Sequence, residues 1–121
     1  VTDGVLVGRR GYMQGRAIDL GPCALLAIGG VKVGVASHRK QCADPAMIEQ
    51  FGLDIRDFQT VVVKSQGHFR AGFDEFFPPE RTLEIDCPGL TSPQLQNFDW
   101  RELPRPVYPL DQETSWSVPS Y

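Results

Sequence analysis

The run Lys64-Ser65-Gln66-Gly67-His68-Phe69-Arg70 gathers three basic side chains and a hydroxyl in one short stretch. Before it stands Thr60-Val61-Val62-Val63-Lys64, a β-branched run that predicts a strand buried on both faces. After it, Phe69, Phe73 and Phe76 or Phe77 recur at helical spacing until Pro78-Pro79 stops the helix. In open α/β sheets ligands gather at the C-terminal ends of strands, beside helix N-termini whose unpaired N–H groups favour anions. Lys64, Ser65, His68 and Arg70 are therefore candidates for holding a carboxylate or a phosphate. The plainer alternative has Ser65 capping the helix, His68 on its first turn, and Lys64 and Arg70 solvated. Arg39-Lys40-Gln41 follows a predicted strand end. It would line the same edge as Lys64 if the two strands were parallel neighbours, and is otherwise a solvated turn.

Other chemistries find little support. Lys64-Ser65 resembles the end of a P-loop, but the glycine-rich cradle before the lysine is missing. Metal catalysis usually takes three or four ligands. The chain has two histidines, His38 and His68, and no His-Glu-x-x-His, so a site of His38, His68 and Cys42 would be the sole candidate. Lone histidines and cysteines are more often structural. Cys23 and Cys87 lie in apolar settings, where a thiol packs as a small hydrophobe. No Gly-x-Ser-x-Gly marks a serine hydrolase. Asp74-Glu75, and Asp99 with Glu102, read as solvated surface charge.

The elements that must position these residues are legible in part. Ala24–Ile28 and Val31–Ala36 flank Gly29-Gly30, a link suited to a tight hairpin turn, and Val31, Val33 and Val35 alternate with Lys32, Gly34 and Ala36. An earlier short strand is expected at Val5-Leu6-Val7, before the loop Gly8-Arg9-Arg10-Gly11. Asp44 and Pro45 open a short helix with Met47, Ile48 and Phe51 on its apolar face, and Gly52 fits its left-handed C-terminal position. Leu83, Ile85 and Cys87 alternate with Glu84 and Asp86, which predicts a strand ending at Pro88-Gly89, and a helical turn is expected at Ser92-Pro93. From Leu103 the chain is proline-rich (Pro104, Pro106, Pro109, Pro119), predicting an extended arm with a loose end from about Gln112. The whole reads as one α/β domain: a mixed β-sheet with an opening hairpin, short flanking helices and that arm.

The 121 residues suit a single domain, and 41% hydrophobic with 22% charged residues is ordinary globular composition. A net charge of −3, from 12 basic and 15 acidic residues, argues against nucleic acid as a partner. No stretch approaches the roughly 20 apolar residues that cross a bilayer, so no membrane is expected. The cysteines at 23, 42 and 87 show no Cys-x-x-Cys spacing, and reduced thiols in the cytoplasm are the expectation. The chain begins at Val1 without a methionine, as a piece of a longer polypeptide would.

Taken in order along the chain, several motifs resemble the C-terminal domain of microcystinase C (MlrC-like) proteins. They are Gly15-Arg16-Ala17-Ile18-Asp19-Leu20-Gly21, Arg39-Lys40-Gln41 with Asp44-Pro45, and Phe51-Gly52-Leu53-Asp54. Val63-Lys64-Ser65-x-x-His68-Phe69-Arg70, Cys87-Pro88-Gly89-Leu90-Thr91 and Arg105-Pro106-Val107-Tyr108-Pro109-Leu110-Asp111 follow. The resemblance spans about Gly15 to Asp111, and it is the order of modest motifs that makes it specific. It implies the smaller, C-terminal part of a zinc-dependent metallopeptidase whose named activity is hydrolysis of linearised microcystin and its fragments. The zinc would be held by the preceding domain, no metal ligand falls on this chain, and the isolated chain would be inactive. Partners would be that catalytic domain and a peptide or small-molecule substrate, and a homo-oligomer is compatible with it. Lys64, Ser65, His68, Arg70, Arg39 and Gln41 would then face the substrate or the domain interface. The rival reading is a ligand-binding or oligomerisation module without catalytic duty.

Overall fold

The computed structural model describes residues 1–87, 89, 92–115 and 117–118. It divides into two compact units, Val1–Thr82 and Leu83–Tyr121.

In the first unit, β1 (Val5–Val7) pairs antiparallel with β2 (Ala17–Asp19), Leu6 opposite Ile18. The hairpin β3 (Cys23–Ile28) and β4 (Val31–Ala36) turns at Gly29-Gly30 as expected, with Gly29 at φ +57° and Ile28 opposite Val31. The α/β class and the hairpin thus hold, with the sheet in two two-stranded antiparallel pieces.

The first helix also forms where its signals lie. Asp44 accepts the Ala46 N–H at 2.8 Å, Pro45 follows, and α1 covers Ala46–Glu49. Gly52, at φ +74°, then turns the chain away. Ile18, Leu20, Cys23 and Met47 form the core, with Leu6, Met13, Cys42 and Phe51 packed on it. Burying a side chain such as Ile18 contributes roughly 1.5–3 kcal/mol. The second helix, α2 (Arg70–Phe73), is one turn anchored by buried Phe73, and the phenylalanine run ends before Pro78 as predicted.

Two predicted strands are absent. Thr60–Lys64 forms no strand: Val61 and Val63 are half-buried, while Val62 is 89% exposed. Leu83–Cys87 forms none either, with Leu83 81% and Ile85 72% exposed. A β-branched or alternating run becomes a strand only against a partner edge, and no described strand pairs with either one. The predicted strand end at Pro88, Leu90 and Thr91 of the resemblance motif, and Pro119 of the arm lie outside the described residues.

In the second unit, a 3-10 turn at Leu95–Asn97 follows Ser92, whose Oγ accepts the Gln94 N–H. Trp100 Nε1 donates to the Leu95 carbonyl at 2.7 Å. In the proline-rich segment the Asp111 carboxylate receives the Arg105 guanidinium and the Val107 N–H, and its own N–H donates back to the Val107 carbonyl.

Candidate functional site

Two glycines bring three separated segments to one place. Gly11, at φ +54°, lies so close to α2 that a Cβ there would stand 2.7 Å from the Ala71 carbonyl carbon and the Gly72 nitrogen. This seats the 3-10 turn Gly11–Met13 on α2. Gly72 in turn lies against the segment before α1, where a Cβ would stand 2.6 Å from the Ala43 oxygen. Backbones can approach this closely only without side chains between them.

Asp44 fixes the same junction from inside. Its carboxylate is fully buried and accepts three backbone N–H groups: Arg9 at 2.5 Å, Arg10 at 2.8 Å and Ala46 at 2.8 Å. A buried carboxylate is tolerated when its lone pairs are filled in this way. Arg10 adds an outer tie, pairing with Glu49 at 3.2 Å and Glu75 at 3.5 Å, its guanidinium 4.9 Å from the Phe76 ring centre.

On this support stands an exposed polar network. Gln41 Nε2 donates to Ser65 Oγ at 2.5 Å, and Gln41 Oε1 lies 3.0 Å from His68 Nδ1. With the glutamine oxygen toward the ring, an Nδ1–H tautomer would donate to it. Tyr12 stacks on the His68 ring, centroids 4.8 Å apart and 15° from parallel, and the Arg16 guanidinium lies 4.5 Å from the Tyr12 centroid. Tyr12 thus touches both the Arg16 guanidinium and the exposed His68 ring. A neutral ring would offer Nε2 as an acceptor. A protonated one would offer a donor suited to a carboxylate or a polarised carbonyl.

The structure brings three of the six predicted residues together and leaves three apart. Gln41, Ser65 and His68 meet, though through a glutamine bridge and not through parallel strand ends, since both sheets are antiparallel. Ser65 does not cap α2, whose first bonded residue is preceded by Phe69. No strand runs directly into α2 and that helix is a single turn, so the expected strand-to-helix geometry does not form. Arg39 and Lys64 are exposed and take no part in the network, and Arg70 lies over the Phe69 ring at 5.2 Å. Tyr12 and Arg16 were not singled out by spacing, because nothing local ties them to His68.

The second histidine sits elsewhere. His38 Nδ1 faces Asp19 Oδ1 at 3.2 Å. The Gly21 N–H bonded to Asp19, and then the charge of His38, hold its carboxyl below the usual range. Among the described residues no group of three His, Cys, Asp or Glu side chains is placed to hold a metal, so His38, Cys42 and His68 do not fit a zinc site together. Cys42 is driven to about 11 by burial, aided by the Asp44 charge, the reverse of what a thiolate ligand needs. A cleft of about 310 Å³ between β1 and α1, lined by Leu6, Arg9, Ala46 and Gln50 among others, includes none of the predicted residues. No helix among the described residues is long and apolar enough to cross a membrane.

A protein-family model described as MlrC C-terminus matches residues 1–102. Comparison with curated proteins and with solved structures gives no match.

Proposed function

This chain belongs to the MlrC C-terminus family, and we propose on that premise that it is the non-zinc-binding domain of a zinc-dependent hydrolase acting on peptide-like bonds. Its task is to complete the substrate cleft, or the interface, of a catalytic domain that precedes it. The zinc would supply the Lewis acid and the activated water from that other domain, and no residue here is assigned to it. The observation that supports the reading is the exposed network of Gln41, Ser65 and His68 with Tyr12 and Arg16. A glutamine bridge and an aromatic stack fix the orientation of an exposed imidazole, as a group that meets a ligand requires. His68 Nε2 would bind the substrate carboxylate or polarise its carbonyl.

The test uses the full-length protein, with hydrolysis of peptide substrates and zinc content measured side by side. His68→Ala is expected to lower kcat/KM about tenfold to a hundredfold, the loss of one charge-assisted hydrogen bond, with zinc unchanged. Turnover within twofold of wild type would remove His68 from the reaction.

An oligomerisation module is the second reading, favoured by the hairpin. Leu26, Ile28, Val31, Val33 and Val35 share one face of β3–β4 and are 39–66% exposed. Val33→Glu in the full-length protein would change the subunit number under that reading and leave it unchanged under the first.

A further inference from the structure

We infer that the residues immediately before Val1 in the full polypeptide form a third strand, antiparallel to β3, along its open edge. The inference rests on the reading of this chain as the C-terminal part of a longer protein.

The first support is direction. Thr2 and Cys23 are an antiparallel bridge in which each N–H donates to the other's carbonyl at 2.9 Å. This is the first rung of a ladder on the edge of β3 that β4 does not occupy. Carried backward in the same register, Val1 stands opposite Ala24. The residue before Val1 then stands opposite Leu25, and the third before it opposite Ala27.

The second is backbone chemistry. A two-residue hairpin closes on a doubly bonded pair, here Ile28 and Val31, so Leu26 and Ala24 also direct their backbone groups to β4. The N–H and C=O of Leu25 and Ala27 therefore point to the open edge, as those of Cys23 do toward Thr2. Among the described residues no strand pairs there beyond Thr2.

The third is composition. Solvent-facing edges are usually blunted by charge, proline or a bulge. Cys23-Ala24-Leu25-Leu26-Ala27-Ile28 contains none of these. A two-stranded hairpin is also marginal alone, and a third strand is the usual remedy. Leu25 and Gly34 share the face on which Phe51 packs, and Leu26 and Val33 share the opposite aliphatic face. An incoming strand would thus meet apolar neighbours on both faces, the backbone ladder supplying the affinity.

Amide hydrogen exchange on the full-length protein tests this, together with its mass in solution. The Leu25 and Ala27 amides are expected to exchange as slowly as that of Leu26, on the order of 100-fold or more below the unstructured rate. Exchange of Leu25 and Ala27 at near the unstructured rate, with Leu26 and Ile28 still protected, would overturn the inference. So would protection that disappears when a dimer is diluted to monomer, since a second copy would then hold the edge. In the full-length protein Ala27→Pro removes the N–H aimed at the open edge while leaving the bonds of Leu26 and Ile28 to β4. It is expected to release the Leu25 amide while that of Leu26 stays protected; a Leu25 amide that stays protected overturns the inference. Activity of the His68 variant is independent of these readouts, so failure of the third strand and failure of the cleft reading are distinguishable.

Discussion

Gly72 approaches the Ala43 carbonyl so closely that an added Cβ would lie 2.6 Å from its oxygen. This contact joins α2 to the segment before α1, and with it the positions of His68 and Gln41. Gly72→Ala must push the two backbones apart, and since both are backbone atoms neither can swing aside. The expected loss is about 2 kcal/mol in urea unfolding, within the usual range for forced overpacking. Because the shift separates His68 from Gln41, the full-length variant should also lose activity. Stability and activity within error of wild type would show that the junction is looser than the geometry implies.

The Asp44 carboxylate is the polar counterpart of that contact. Asp44→Asn keeps its size but replaces one acceptor oxygen with an NH2 group that faces backbone N–H donors. About 3 kcal/mol of stability should be lost, the cost of leaving buried donors unpaired. A loss below about 1 kcal/mol would mean that water or a rotated side chain takes over the bonds.

Local signals were legible and distant ones were not. The hairpin could be read because Gly29-Gly30 and the Val31, Val33, Val35 alternation lie within one contiguous run. So could α1, whose Asp44-Pro45 start and Gly52 end are sequence-adjacent to its apolar face. Thr60–Lys64 carried an equally strong β-branched signal, yet strand formation depends on a partner edge that the run itself does not encode. In the site, Gln41, Ser65 and His68 could be nominated by residue type. The stacking of Tyr12 and Arg16 depends on the close approach of Gly11 to α2, a tertiary contact with no periodicity to betray it.

The Gln41 bridge makes a statement about a proton. With Gln41 Oε1 facing Nδ1, the neutral His68 ring should be the Nδ1–H tautomer, whereas free imidazole side chains favour the proton on the other nitrogen. Nitrogen NMR of His68 should show a protonated Nδ1 at high pH in the wild type. Gln41→Leu should shift the population to Nε2–H. A wild-type ring already in the Nε2–H form would mean that the glutamine amide is turned over, its nitrogen donating to His68 and its oxygen accepting from Ser65.

Cys42 provides a pH dependence. Burial, with the Asp44 charge, raises its pKa to about 11. A raised folded value means the native state holds its proton more tightly than the unfolded chain. The resulting stabilisation is complete below the unfolded value near 9 and is lost as pH rises toward 11. The stability difference between wild type and Cys42→Ala should therefore narrow over that window. At pH 8, alkylation of Cys42 should be about two orders of magnitude slower in the native protein than in urea, following the thiolate fraction. Equal rates would show the thiol to be open to solvent.

Asp111 responds at the acidic end. The Arg105 guanidinium first, and the Val107 N–H second, hold its carboxyl at about 2. A depressed folded value means that this loop is fully held above the usual carboxylate range near 3.8 and is released as pH falls toward 2. Arg105→Gln removes the larger cause and leaves the backbone bond, so the Asp111 carboxyl should titrate partway back toward 3.8 in carbon NMR. The Val107 and Asp111 amides, paired across the loop at 2.7 and 2.9 Å, should report the same midpoint because they lose their partner when the loop opens. A midpoint that stays near 2 in the variant would place the cause in the backbone and not in the ion pair. Unchanged activity of full-length Arg105→Gln would then assign Arg105-Pro106-Val107-Tyr108-Pro109-Leu110-Asp111 to loop closure, leaving substrate contact to His68.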